Sequence, residues 1–113
     1  MGKVAEAGFN GRVGKYQFGV YTLDTDFKEI GAVYIFTKRT IDAARHGTHE
    51  CLYIGETDNL NKCILNHEQW PCLNRNGVTH ICVHVEQGAE SRLVKETDLR
   101  IANPTPCNDH IPS

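Results

Sequence analysis

Several residues in this chain have the types and spacing to do chemistry. Cys63 and His67 lie four residues apart, which on a helix puts a thiol and an imidazole on one face. Such a pair can act as nucleophile and base, but no orienting acid or oxyanion-binding group accompanies it in the sequence. His80, Cys82 and His84 alternate, so a strand presents all three on one side. They are metal ligands by type, yet along a strand they spread too far to converge on one tetrahedral ion. Glu96 lies three residues after Leu93 and three before Leu99, at the edge of an apolar helical side. A carboxylate turned inward there needs a metal or a hydrogen-bond partner, because burying a lone charge is costly. Tyr34 and Tyr53 sit in apolar strand-like runs and read by position alone as core tyrosines. The five cysteines, at 51, 63, 72, 82 and 107, are odd in number, contain no CxxC pair and follow no secretion signal. They are expected to be reduced thiols.

The elements that must position these residues follow from periodicity. Residues 1–14 carry three glycines and little pattern, and are expected to be a flexible N-terminus. Lys15 to Leu23 alternates aromatic and β-branched residues and reads as a strand. Gly31 to Lys38 is a more continuous apolar strand suited to a central position. Thr40 to Glu50 is polar and reads as a long loop, and Leu52 to Gly55 as a third strand, antiparallel to the second. A helix then starts at a Thr57 or Asp58 cap, carries Leu60, Ile64 and His67 on one side, and ends at Pro71. His80 to Glu86 alternates as a half-buried strand. Gly88 to Ala102 is a second helix, with Leu93, Val94 and Ile101 expected on its apolar side. The predicted fold class is α+β, a small mixed or antiparallel sheet flanked by helices in the order β-β-β-α-β-α. It forms one domain over residues 15–108, followed by a flexible tail at 109–113.

Composition narrows the function classes. The chain has 113 residues, 40% of them hydrophobic and 23% charged, which suits one globular core and excludes disordered, collagen-like and coiled-coil classes. No apolar run approaches the roughly 20 residues of a membrane span, so no membrane partner is expected. The N-terminus lacks the apolar core of a signal peptide, and the expected compartment is the cytoplasm. Twelve basic residues against fourteen acidic ones, net −2, do not make the polybasic footprint of tight non-specific nucleic-acid binding. A local basic groove is compatible with that balance.

From residue 31 to 108 the chain resembles the GIY-YIG nuclease family. The second half-motif is literal, Tyr53-Ile54-Gly55, and the first is degenerate, Ala32-Val33-Tyr34, with only its tyrosine kept. Glu56-Thr57-Asp58-Asn59-Leu60-Asn61-Lys62 resembles the family's run into its first helix, and Glu96-Thr97-Asp98-Leu99 with Pro106 and Asn108 its closing stretch. The extra N-terminal strand is similar to that of small standalone bacterial members. The resemblance implies phosphodiester hydrolysis of nucleic acid, with DNA the expected substrate, assisted by one divalent ion, Mg²⁺ or Mn²⁺. It implies Tyr34 and Tyr53 on adjacent strands beside the attacking water, His67 as proton relay or phosphate contact, and Glu96 as the metal ligand. Lys62, Gly55 and Asn108 are implied on the substrate side, Asn108 with a structural role in tying the tail to the sheet.

The resemblance breaks at one decisive position. The family's helix arginine falls ten residues after Tyr53, where this chain has Cys63. A thiol cannot clamp phosphate or neutralise charge in the transition state. Lys62 precedes it but points about 100° away around a helix. Glu56 also stands where a basic residue often helps bind phosphate. The expected function is therefore a GIY-YIG-type metal-dependent DNA endonuclease impaired at Cys63. The competing readings are an inactive domain that binds nucleic acid or a protein, and a small adaptor that reuses the fold. So small a domain would draw specificity from nucleic-acid structure or from forming a homo-oligomer.

Overall fold

The computed structural model describes residues 2–108; the tail expected at 109–113 lies outside the described residues. The elements are β1 (Lys3–Asn10), β2 (Lys15–Thr22), β3 (Ala32–Ile41), β4 (Gly47–Thr57), α1 (Leu60–Leu65), α2 (Trp70–Arg75), β5 (His80–Val85) and α3 (Ala89–Ala102). The class is α+β, with one five-stranded sheet in the order β1-β2-β5-β3-β4. Every pairing is antiparallel.

β3 is central, as its continuous apolar run requires. Ala32 through Thr37 are all buried, because both faces of the sheet are covered. Tyr34, Phe36, Ile81 and Val83 point to one face, where Leu60, Ile64, Leu73 and Cys107 close over them. Val33, Ile35, Cys82, Phe18 and Val20 point to the other, under Leu99 of α3 and Phe9 of β1. Burial of both Ile81 and Cys82 also corrects the half-buried reading of β5.

Four expectations are corrected. Residues 3–10 are a strand, not a flexible terminus: β1 pairs along β2 from Lys3↔Tyr21 to Asn10↔Lys15. Its burial alternates from Ala5 to Asn10, but two of the three inward residues are alanines, so the apolar pattern is faint in the sequence. The loop expected at 40–50 is mostly hairpin. β3 and β4 stay paired out to Ile41↔Gly47, and Asp42 Oδ1 accepts the amides of Ala44 and His46 at 2.9 Å to close the turn. This ladder projects beyond the core and carries polar side chains, which hides it from an apolar pattern.

The helix expected from residue 57 to Pro71 is two short helices. Asn59 caps α1, its Oδ1 accepting the Lys62 amide at 3.1 Å. Pro71 occupies the first turn of α2, where a missing N–H is harmless, so it opens a helix and does not close one. Gly77, at φ +78°, lets the chain turn after α2 into β5.

The fourth correction concerns α3. Leu93, Val94 and Ile101 were expected to face the core, but all three are exposed. The buried side is the row Arg92, Glu96 and Leu99, spaced three and four apart. A helix that turns charged groups inward and valine and leucine outward is not positioned by hydrophobic burial alone.

The expected reduced state is also corrected: Cys72 on α2 and Cys107 after α3 form a disulfide. They are 35 residues apart, and neither their number nor their spacing announces the pair. Cys51, Cys63 and Cys82 are free thiols.

Candidate active site

β3 and β4 bring the two tyrosines together. Tyr34 pairs with Gly55, and Tyr53 with Phe36, two positions along the same ladder. The rings stack at 6.0 Å between centroids. Gly55 makes this approach feasible. A Cβ there would lie 2.7 Å from the Tyr34 hydroxyl oxygen and 2.8 Å from the Tyr53 ring. Gly55→Ala is therefore expected to destabilise the fold by about 1–3 kcal/mol, the usual range for overpacking, and to displace Tyr34. Urea unfolding gives the first quantity and aromatic NMR shifts the second.

His67 lies between α1 and α2, not on the face of a helix as expected. It is nonetheless buried among Tyr34, Tyr53, Phe36 and Trp70, its ring 4.7 Å from that of Tyr53. Nδ1 accepts the Gln69 amide proton at 3.1 Å, so in the neutral ring Nε2 carries the hydrogen. Burial lowers the pKa of His67, which favours that neutral ring. Nε2–H then donates to the Tyr34 hydroxyl oxygen at 2.8 Å, and the Cys63 thiol donates to the same oxygen at 3.3 Å. With both donors aimed at its oxygen, Tyr34 keeps its own proton to donate, and a bond from Tyr34 is among the influences that lower the pKa of Tyr53.

This polarity separates two residues that look alike in sequence. Burial, with the neighbouring Cys63 and Tyr53, pushes Tyr34 far above the usual tyrosine range. Tyr34 is a fixed proton donor sealed from solvent. Tyr53 is half-buried and reachable. Burial also raises its pKa, but the bond from Tyr34 and the Arg100 guanidinium pull it back down, while the Glu96 carboxylate raises it. Tyr53 is the one of the pair whose oxygen accepts.

Glu96 and Arg100, one turn apart on α3, form an ion pair at 3.8 Å, their side chains 15% and 21% exposed. Burial raises the Glu96 carboxyl; Arg100 opposes this and Glu56 adds to it. Arg100 was not singled out in the sequence. Its one signal there is the i+4 spacing from Glu96, meaningful only once that side of α3 is known to face inward.

The remaining expected residues fall into place less uniformly. Cys63 occupies the site, but burial raises its thiol and it bonds to Tyr34. That arrangement favours a structural donor over a nucleophile activated by His67. Lys62 is exposed on α1. Glu56 is held by the buried Arg92, whose Nε lies 2.9 Å from its carboxylate and whose Nη1 donates to the carbonyls of Glu86 and Gln87. Both amide groups of Asn108 are committed to β4: Oδ1 accepts the Ile54 N–H and Nδ2 donates to the Ile54 carbonyl, each at 2.9 Å. Asn108 therefore straps the tail to the strand bearing Tyr53, in keeping with the structural role expected of it.

His80, Cys82 and His84 do not converge. His80 bonds to Thr79, Cys82 is buried, and His84 bonds to the Gln17 carbonyl and Lys95. Among the described residues no cluster of three or more His, Cys, Asp or Glu side chains could hold a metal ion, and no helix is long and apolar enough to cross a membrane. No protein-family model, curated protein or solved structure matches the chain.

Proposed function

We propose that this chain is a phosphodiesterase domain of the GIY-YIG type, acting on DNA, with cleavage weakened by the thiol at position 63. The observation that carries the reading is the inverted α3. Its charged side, with Glu96 and Arg100, faces inward beside Tyr53 although a more apolar side was available. Sheltering charge in this way is costly without a purpose for the charge. The stacked tyrosine pair and His67 complete a compact acid–base group.

In this reading Tyr53 first gives up its hydroxyl proton to solvent, helped by the Arg100 charge, and the phenolate then accepts the proton of the attacking water. Tyr34, fixed by His67 and Cys63, orients that phenolate by donating to its oxygen. Arg100 supplies a cation near the phosphate, in part replacing the arginine that α1 lacks. A single divalent ion, Mg²⁺ or Mn²⁺, suits Glu96 in kind. Its carboxyl is a hard oxygen donor raised chiefly by burial, and such ions need few protein ligands. Bound there, the ion would neutralise charge on the phosphate.

The test is cleavage of plasmid, single-stranded and branched DNA with Mg²⁺ or Mn²⁺, comparing the chain with Cys63→Arg and Glu96→Ala. Cys63→Arg is expected to cut about 10²-fold faster than the unaltered chain, and Glu96→Ala not to cut. Absence of cleavage by both the unaltered chain and Cys63→Arg would remove the enzymatic reading. It would leave a binding domain, which the Cys63–Tyr34 bond and the net charge of −2 favour as the second reading.

A further inference from the structure

We propose that the cleft between the two edge strands β1 and β4, on the sheet face opposite the Tyr34–His67 pair, binds a small molecule bearing a carboxylate or phosphate group, anchored by Arg39. The proposal does not rest on the nuclease reading. The sheet curls so that its two edges approach each other, with the Phe9 and His49 rings 5.6 Å apart. Between them lies a cavity of about 540 Å³, lined by Arg39, Gly47, His49, Cys51 and Asn103 among others. That size suits a small ligand, not a peptide or duplex.

Arg39 continues the row of Val33, Ile35 and Thr37 along β3, on the α3 face of the sheet. Its Nε is buried and has no hydrogen-bond acceptor in the protein, the single such side-chain atom among the described residues. A buried donor left in that state is costly, so it calls for an explanation. No carboxylate among the described residues pairs with this guanidinium. Glu6, which also lines the cavity, is ion-paired to Lys3. Burial first, then the Arg39 charge, lowers the pKa of both His49 and His80. The cleft is thus positive at its floor and has no internal counter-ion.

The approach to Nε is open because residue 47 is glycine; a Cβ there would lie 3.3 Å from it. The outer edges of β1 and β4 add outward-facing amides. A planar guanidinium beside free amides recognises oxyanions, which accept from it in a bidentate manner.

The test is an NMR titration of the full chain with sodium phosphate and, separately, sodium succinate, at constant ionic strength. Saturable shifts are expected at the amides of Arg39, Gly47, Thr48 and His49 with one or both probes. Saturation by phosphate alone assigns a phosphate ligand, and by succinate alone a carboxylate. Arg39→Gln is expected to weaken binding by about tenfold or more. Thr48→Asp, which puts a carboxylate at the exposed rim without touching the core, is expected to weaken it as well. Absence of saturable shifts with both probes, or equal affinity in folded Arg39→Gln, would overturn the proposal.

Discussion

Tyr53→Phe is expected to slow DNA cleavage by about 10²–10⁴-fold, the range for loss of a general base, while leaving the fold nearly as stable as before. Tyr34→Phe is expected to do the reverse. The asymmetry follows from hydrogen-bond direction. The Tyr34 oxygen receives His67 Nε2–H and the Cys63 thiol, so its removal leaves two donors without an acceptor in a buried place. That costs about 1–3 kcal/mol of stability. Its effect on rate is indirect, through the orientation of Tyr53. Tyr53 has the more accessible hydroxyl; burial raises its pKa on balance, and the Tyr34 bond and Arg100 oppose that rise. Single-turnover cleavage in the Cys63→Arg background, measured beside thermal denaturation of each tyrosine variant with Cys63 in place, separates the two roles. If Tyr34→Phe lost the rate and kept its stability, the base would be Tyr34 and the inferred His67 tautomer would be wrong.

Reducing the Cys72–Cys107 disulfide is expected to lower stability by about 3–4 kcal/mol, the chain-entropy value for a loop of its 35-residue separation. In a domain this size that lowers the melting temperature by about 10–20 °C. The bond joins α2 to the segment that reaches β4. There the Cys107 amide donates to the Leu52 carbonyl at 2.9 Å, and Asn108 takes both backbone groups of Ile54. Loosening this strap should therefore also expose the strand that carries Tyr53. Thermal unfolding with and without a dithiol reductant, together with Cys72→Ser, measures the first effect; hydrogen exchange at Ile54 measures the second. Equal melting temperatures in both redox states would show that the strap holds without its covalent link.

The structure shows where pattern reasoning succeeded and where it did not. β3, β5 and α3 were legible because their apolar content or period is local. β1 and the outer β3–β4 hairpin were not, because they are held by backbone pairing and carry polar or mixed side chains that no apolar pattern marks. Pro71 was read as a stop because proline breaks a helix interior, but it is equally at home in a first turn, and only the path of the chain decides between them.

The candidate site divides in the same way. Residue types and spacing drew attention to Cys63, His67 and Glu96, whereas Tyr34 and Tyr53 read as core tyrosines by position and entered the candidate site through the family resemblance. The direction of the hydrogen bonds was out of reach, since it depends on the Gln69 amide meeting Nδ1 of His67. So was Arg100, whose relevance depends on which side of α3 turns inward. The helix period marked Leu93, Val94 and Ile101 as the inward side, and the tertiary structure placed Arg92, Glu96 and Leu99 there instead. Sequence by itself determined the α+β class, the central strand and most of the chemically able residues, because these depend on local periodicity and residue type. Tertiary structure decided the disulfide, the donor on Tyr34, the partner of Glu96 and the orphaned Arg39 Nε, because each depends on atoms brought together from distant parts of the chain.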